Sequence, residues 1–207
     1  MKAVALLGST GSIGTSALSV LAQHTDKYNV YALTANRSVD KLFEQCQQFK
    51  PMFAVMLDES SAKQLSLKVK AAGLLIQVLS GVQALEEVVQ HGEVDYVIAA
   101  IVGAAGLLPI LAAAKSGKRI LLANKEALVM SGQLLMREVE TNGATLLPVD
   151  SEHNAIWQCL PVGESQQYQY ENKGIRRIIL TASGGPFRDY ELSELENVTP
   201  EQAIAHP

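Results

Sequence analysis

Apolar residues fall in short runs that alternate with helical patterns along the first 150 positions. Ala3–Leu7, Val30–Thr34, Phe53–Leu57, Leu75–Leu79, Tyr96–Ala100, Ile120–Leu122 and Thr145–Val149 read as seven strands. Between them Ser12–Gln23, Val39–Phe49, Ser60–Ala71, Val82–Val89, Leu107–Ser116 and Glu126–Thr141 carry helical spacing. Continuous apolar strands that alternate strictly with helices predict a parallel sheet covered on both faces. Gly117, Gly132 and Gly143 are expected at helix ends or in turns. The pattern changes at Asp150. A helix over Ser151–Leu160 precedes a polar stretch from Gly163 to Lys173, then a strand is expected over Ile175–Thr181 and a sharp turn at Ser183-Gly184-Gly185-Pro186. Thr199-Pro200-Glu201-Gln202 has the cap residue, the first-position Pro and the third-position Gln of a helix start. The fold expected is α/β. Residues 1–149 form a Rossmann-like doubly wound parallel sheet, and residues 150–207 form the incomplete start of an α+β domain.

Composition narrows the class. About half of the 207 residues are apolar and 18% are charged, the profile of a soluble globular protein. A net charge of −4 argues against a nucleic-acid surface. Val97–Ala114 is uncharged for 18 residues, but Gly103, Gly106 and Pro109 interrupt it, so a buried strand and an apolar helix are expected there, not a membrane span. The start Met1–Leu7 is cut off by Gly8 to Ser12 too early for a signal peptide. Cys46 and Cys159 match no metal spacing, and both are expected to be buried free thiols.

Three clusters carry chemistry. Gly8-Ser9-Thr10-Gly11-Ser12-Ile13-Gly14 follows the first strand and opens the first helix. Glycines there let backbone approach a pyrophosphate, and the helix start supplies free N–H groups; an ordinary Gly-rich turn has the same composition. The second strand ends in Asn36-Arg37-Ser38, with no acid to hold a ribose 2′-hydroxyl, and Arg37 suits a 2′-phosphate. NADPH is therefore expected over NADH, although a solvated surface arginine reads the same way. The third cluster spans two strand ends, Asn124-Lys125-Glu126 and Asp150-Ser151-Glu152-His153. Two carboxylates one residue apart can face a hard cation such as Mg²⁺ or Mn²⁺; Asp150 capping a helix and Glu152 favouring its dipole is the alternative. Lys125 is a candidate clamp or proton-handling group, since a buried lysine can bind anionic oxygens; a surface lysine at a helix start is the alternative. Ser183 could offer its hydroxyl to a phosphate, or belong simply to a turn.

Five blocks together resemble one family. They are Gly-Ser-Thr-Gly-Ser-Ile-Gly at 8–14, Ala-Ala-Ile-Val-Gly-Ala-Ala-Gly-Leu at 99–107, Leu-Leu-Ala-Asn-Lys-Glu at 121–126, Leu-Pro-Val-Asp-Ser-Glu-His-Asn-Ala-Ile at 147–156 and Ser-Gly-Gly-Pro-Phe at 183–187. In this order they are similar to the 1-deoxy-D-xylulose 5-phosphate reductoisomerases. The resemblance implies conversion of that sugar phosphate to 2-C-methyl-D-erythritol 4-phosphate in non-mevalonate isoprenoid synthesis, with NADPH and Mg²⁺ or Mn²⁺. It implies cofactor contacts at Thr10, Gly11, Ser12, Ile13, Asn36, Arg37, Ser38, Asn124 and Glu126. Substrate contacts are implied at Lys125, Ser151, Glu152, Ser183 and His206, metal ligation at Asp150 and Glu152, and catalytic roles for Lys125, Asp150 and Glu152. At 36–38 the family more often carries Gly-basic-Asn, so the basic residue is the part that carries over. The family continues beyond His206-Pro207 into a closing loop, a third metal carboxylate and a helical domain. This polypeptide alone is therefore expected to bind NADPH and to turn over poorly. A homodimer in a bacterial cytosol is implied for the whole enzyme, with no membrane or nucleic-acid partner. The competing readings are a non-catalytic NADP-binding module and another NADP-dependent oxidoreductase, such as a semialdehyde dehydrogenase, which needs a reactive cysteine.

Overall fold

The computed structural model describes residues 1–160, 175–181 and 185–205. By proximity along the chain it divides into two compact units, Met1–Asp150 and Ser151–Pro207.

The first unit is a seven-stranded sheet with every neighbouring pair parallel. Its strands are β1 (Lys2–Leu7), β2 (Tyr28–Ala35), β3 (Phe53–Met56), β4 (Gln77–Ser80), β5 (Tyr96–Ala99), β6 (Arg119–Leu122) and β7 (Thr145–Pro148). The crossover helices are α1 (Ser12–Gln23), α2 (Val39–Phe49), α3 (Glu59–Ala71), α4 (Gly81–Gln90), α5 (Leu107–Lys115) and α6 (Glu126–Thr141). The strand order β4-β3-β2-β1-β5-β6-β7 reverses direction at β1, so a crevice opens between the C-terminal ends of β1 and β5. Alternating strand residues feed two cores. Val4, Leu6, Leu33 and Met56 pack with Leu18, Leu42 and Leu65 of α1, α2 and α3. Ala5, Leu7, Val97 and Ile120 pack with Val88, Ile110 and Leu135 of α4, α5 and α6. This double covering is why the central strands read as unbroken apolar runs.

Most boundaries agree with the spacing, and α1, α2 and α6 agree at both ends. Two details differ. The fourth strand begins at Gln77, and Leu75, expected within it, is 97% exposed in the connection. Gly132 lies inside α6, next to Ser131, whose φ −147°, ψ 30° breaks the helix. The Ser131 hydroxyl donates to the Ala127 carbonyl at 2.9 Å on the N-terminal side of that break. Among the described residues no helix is long and apolar enough to cross a membrane.

The second unit holds α7 (Ser151–Cys159), a 3₁₀ turn at Gly185–Phe187, another at Leu192–Asn197 and α8 (Pro200–Ile204). The predicted helix start is present: the Thr199 side chain accepts the Gln202 N–H and the Gln202 side chain accepts the Thr199 N–H. The strand expected over Ile175–Thr181 is absent. Those residues take no regular secondary structure and pair with no described strand, and Ile178, Ile179 and Leu180 are exposed. A strand exists only when a neighbour takes its N–H and C=O groups, and no described segment does so here.

Candidate functional site

Register fixes which loops share an edge. Leu7 pairs with Ala99, Ala99 with Leu122, and Leu122 with Pro148, so one row crosses four strands at their C-terminal ends. Gly8 follows Leu7 directly. Asn124 lies two residues past Leu122, and Asp150 two past Pro148. The glycine turn, the Asn124-Lys125 turn and Asp150 therefore leave the same edge of the sheet.

The glycine turn is shaped by close backbone approaches. Gly8 has φ +79°, and a Cβ on it would stand 2.7 Å from the Ala100 carbonyl oxygen at the end of β5. A Cβ on Gly14 would stand 2.3 Å from the Gly8 oxygen. Gly11 is different: a Cβ there meets only the Gly8 oxygen at 3.4 Å. The fold thus demands glycine at 8 and 14, whereas Gly11 keeps clear the exposed side of the turn. At the start of α1 no side chain caps the N–H groups and no acid lies in the first turn. Uncapped donors beside a bare glycine backbone suit an anionic phosphate. Thr10 is half-buried, whereas Gly11, Ser12 and Ile13 are exposed.

The turn is also held from behind. The Gly8 N–H donates to the Thr34 hydroxyl at 2.9 Å and the Ser9 N–H to the Thr34 carbonyl at 2.8 Å. Ser9 is buried; its hydroxyl donates to Gln45 Oε1 at 2.6 Å, and Gln45 Nε2 donates back to the Ser9 carbonyl at 2.9 Å. Lys41 Nζ donates to the Thr10 carbonyl at 2.8 Å. None of Thr34, Lys41 and Gln45 was among the expected site residues. A signal for Gln45 existed: it is a polar side chain on the inward stripe of Val39, Leu42 and Cys46.

At the end of β2, Asn36, Arg37 and Ser38 are exposed, as a nucleotide-binding turn requires. Arg37 Nε lies 3.6 Å from Asp58 Oδ1, with 78% of its side chain exposed. Asp58 caps α3, and the Ser60 hydroxyl, with the Ser61 N–H and hydroxyl, draws its carboxyl down to about 2, helped by the Arg37 charge. Arg37 thus has an ionised partner at its back and an open guanidinium face toward solvent.

Asn124 is buried, and its amide is committed within the protein. Nδ2 donates to the Ile101 carbonyl and, at 2.9 Å, to the Gly103 carbonyl; Oδ1 accepts the Ala127 N–H at 2.9 Å. It caps α6 and ties that turn to the loop after β5. Gly106 makes room for it, since a Cβ there would lie 2.9 Å from Nδ2. The Gly-Ala-Ala-Gly run at 103–106 is thereby accounted for. The Asn124 side chain turns inward, which leaves its amide committed to the protein and not to a ligand. Lys125 is not buried as the clamp reading supposed: its side chain is 61% exposed at the helix start, and its Nζ meets Asp150 Oδ2 at 3.3 Å, with Asp150 19% exposed. Glu126 is half-buried in the first turn of α6. Ser151 and Glu152 open α7 in the second unit, Ser151 exposed and Glu152 half-buried. Ser183 and His206 lie outside the described residues.

The donor set fits a hard cation in part. Asp150 and Glu152 offer carboxylate oxygens, and among the described residues no three His, Cys, Asp or Glu side chains cluster tightly enough to hold a metal. A cavity of about 350 Å³ beside α1, lined by Ile13, Ala17, Tyr96, Leu121 and Val149, is nearly all apolar and offers nothing to a phosphate. Of the two thiols, Cys46 is buried, which pushes it up to about 12, so it is no nucleophile. Cys159, also expected to be buried, is exposed on α7.

A family model for 1-deoxy-D-xylulose 5-phosphate reductoisomerase matches residues 4–132, more than half of the chain, and a second, for the C-terminal domain of that enzyme, matches 146–207. The chain belongs to the 1-deoxy-D-xylulose 5-phosphate reductoisomerase family. The reductoisomerase of Nitrosococcus oceani is 59% identical over 207 residues, covering 100% of this chain and 52% of the relative. A solved reductoisomerase in complex with NADPH, fosmidomycin and magnesium superposes with TM-score 0.88 at 46% identity, over 100% of this chain and 51% of the other. The Zymomonas mobilis reductoisomerase in complex with NADPH gives 0.87 at 45%, over 100% and 52%. The chain therefore spans about half the length of the curated relatives it matches. As a reductoisomerase-family chain it has the glycine turn, the basic β2 end and the Lys125–Asp150 pair on one sheet edge.

Proposed function

We propose that the whole enzyme carrying this chain is an NADPH-dependent reductoisomerase. It converts 1-deoxy-D-xylulose 5-phosphate to 2-C-methyl-D-erythritol 4-phosphate with Mg²⁺ or Mn²⁺. In this reading Met1–Asp150 is the NADPH-binding domain, and the segment from Ser151 opens the catalytic and metal-binding domain. The observation that carries it is the common edge: a phosphate-shaped turn and a carboxylate–lysine pair emerge from the C-terminal ends of neighbouring strands in one parallel sheet.

Thr10, Gly11, Ser12 and Ile13 present backbone donors to the pyrophosphate, while Asn36, Arg37 and Ser38 receive the 2′-phosphate. Asn124 fixes the turn from which Lys125 and Glu126 reach substrate and cofactor. Asp150 and Glu152 hold the cation, with Ser151 and Glu152 also meeting the substrate. Ser183 and His206 belong to its phosphate side. The bound cation supplies Lewis acidity at the substrate oxygens, and NADPH supplies hydride to the rearranged aldehyde. Lys125 holds the Asp150 carboxylate beside it and brings a positive charge to the anionic substrate. On the family resemblance the enzyme works in a bacterial cytosol as a homodimer.

The test is substrate-dependent NADPH oxidation by the whole enzyme with Mn²⁺ or Mg²⁺, compared with Asp150→Asn. The wild type should turn over with NADPH and poorly with NADH. The variant should lose cation-dependent turnover by about a thousandfold, the scale for removing a group that acts in the transition state, and should still bind NADPH. Wild-type-like kinetics in the variant would remove Asp150 from the mechanism. NADPH binding with no turnover in the wild type would favour the non-catalytic module.

A further inference from the structure

Lys41 stands in the first turn of α2, and its ammonium reaches across to the Thr10 carbonyl of the glycine turn at 2.8 Å. That bond uses one of three ammonium protons and leaves the charge uncompensated, because the acceptor is neutral. Lys41 pairs with no carboxylate among the described residues. Its surroundings keep it that way: Asp40, the acid in the first turn of α2, is bound to Lys68 at 2.8 Å, and Asp58 faces Arg37 at 3.6 Å. The first turn of α2 therefore offers its cation to the glycine turn and directs its acid elsewhere. As a device for stability this is weak, since an exposed lysine on one carbonyl contributes little.

In a doubly wound fold the adenosine ribose of a dinucleotide lies between the glycine turn and the end of β2. Lys41 is anchored at the first of these and Arg37 sits at the second. A phosphate on that ribose would meet a cation on each side. We propose that Lys41 is a second ligand of the NADPH 2′-phosphate and that, together with Arg37, it sets the preference for NADPH over NADH. This rests on the NADPH reading above and adds a residue that neither the spacing nor the family resemblance singled out.

Titrating the whole enzyme with NADPH and with NADH, followed by nucleotide fluorescence, tests it on wild type, Lys41→Gln and Lys41→Arg. Loss of one charge-assisted hydrogen bond should raise the NADPH Kd of Lys41→Gln about tenfold, with the NADH Kd unchanged and Lys41→Arg close to wild type. An unchanged NADPH Kd in Lys41→Gln would overturn the proposal. An equal rise for both nucleotides would overturn it too, by moving the ammonium to the pyrophosphate. A wild type that binds NADH as well as NADPH would instead bring down the cofactor reading itself, and the role of Lys41 with it.

Discussion

The Ser9–Gln45 pair holds the glycine turn from behind. The carboxamide matches Ser9 with one donor and one acceptor: Oε1 takes the hydroxyl and Nε2 gives to the carbonyl. Both residues are buried, so a partner lost here is not replaced by water. Gln45→Leu keeps the volume and deletes both bonds. It should destabilise the protein by about 1–3 kcal/mol, the cost of leaving a buried polar group unpaired, and should weaken NADPH and NADH alike, because the whole turn loosens. Thermal unfolding with parallel nucleotide titrations checks this; a variant with wild-type stability and affinity would make the network ornamental. Residues of this kind are hard to read from sequence. Arg37, Lys125 and Asp150 stood out as candidates because each is a charge at the C-terminal end of a strand, where the register gathers the loops on one edge. Asn124 was legible as important, but not as a buried brace, because its partners are backbone carbonyls 21 and 23 residues earlier. Whether Lys125 was a buried clamp or a surface lysine was illegible for the same reason, since exposure depends on what packs nearby.

At the level of elements, periodicity located all seven strands and the helices between them, because each core strand is covered on both faces and each helix on one. It failed where pairing decides. Ile175–Thr181 has the composition of a strand and lacks a strand neighbour among the described residues, and the start of β4 is set by the Gln77 N–H donating to the Met52 carbonyl, not by Leu75. The glycine turn separates two uses of one residue type. Gly14→Ala would drive a methyl to 2.7 Å from the Ser9 Cα and closer still to the Gly8 oxygen, so backbone must move. Overpacking of this order costs about 1–3 kcal/mol, and a lowered Tm should accompany lost NADPH binding. Gly11→Ala meets only a 3.4 Å contact at a φ of −73° that alanine accepts. Its Tm should stay near wild type while NADPH affinity falls at least tenfold, as expected when a ligand is denied close approach to backbone. Equal loss of stability in the two variants would contradict this division, as would unimpaired NADPH binding by Gly11→Ala.

At the scale of the whole molecule, the proposed reading separates binding from turnover along the chain. The residues proposed for the adenosine and pyrophosphate, from Thr10 to Ser38, and the side chains that hold their turn, Thr34 and Gln45, all lie within Met1–Asp150, which has a core on each face of its sheet. The cation is served less fully. A hard divalent ion such as Mg²⁺ requires a near-octahedral oxygen shell; the proposed ligands Asp150 and Glu152 are two, and among the described residues no three His, Cys, Asp or Glu side chains gather to hold a metal. The relatives are about twice as long as this chain. A polypeptide limited to residues 1–207 should therefore bind NADPH within about tenfold of the whole enzyme, that is within about 1.4 kcal/mol. Its Mn²⁺-dependent turnover should be lower by at least a thousandfold, since catalysis needs cation, substrate and nicotinamide held in one geometry. Nucleotide titration and NADPH oxidation measured on both proteins decide the matter. Turnover by residues 1–207 that approaches the whole enzyme would mean that two carboxylates and the Lys125 clamp suffice to hold metal and substrate, and the division of labour drawn here would not hold.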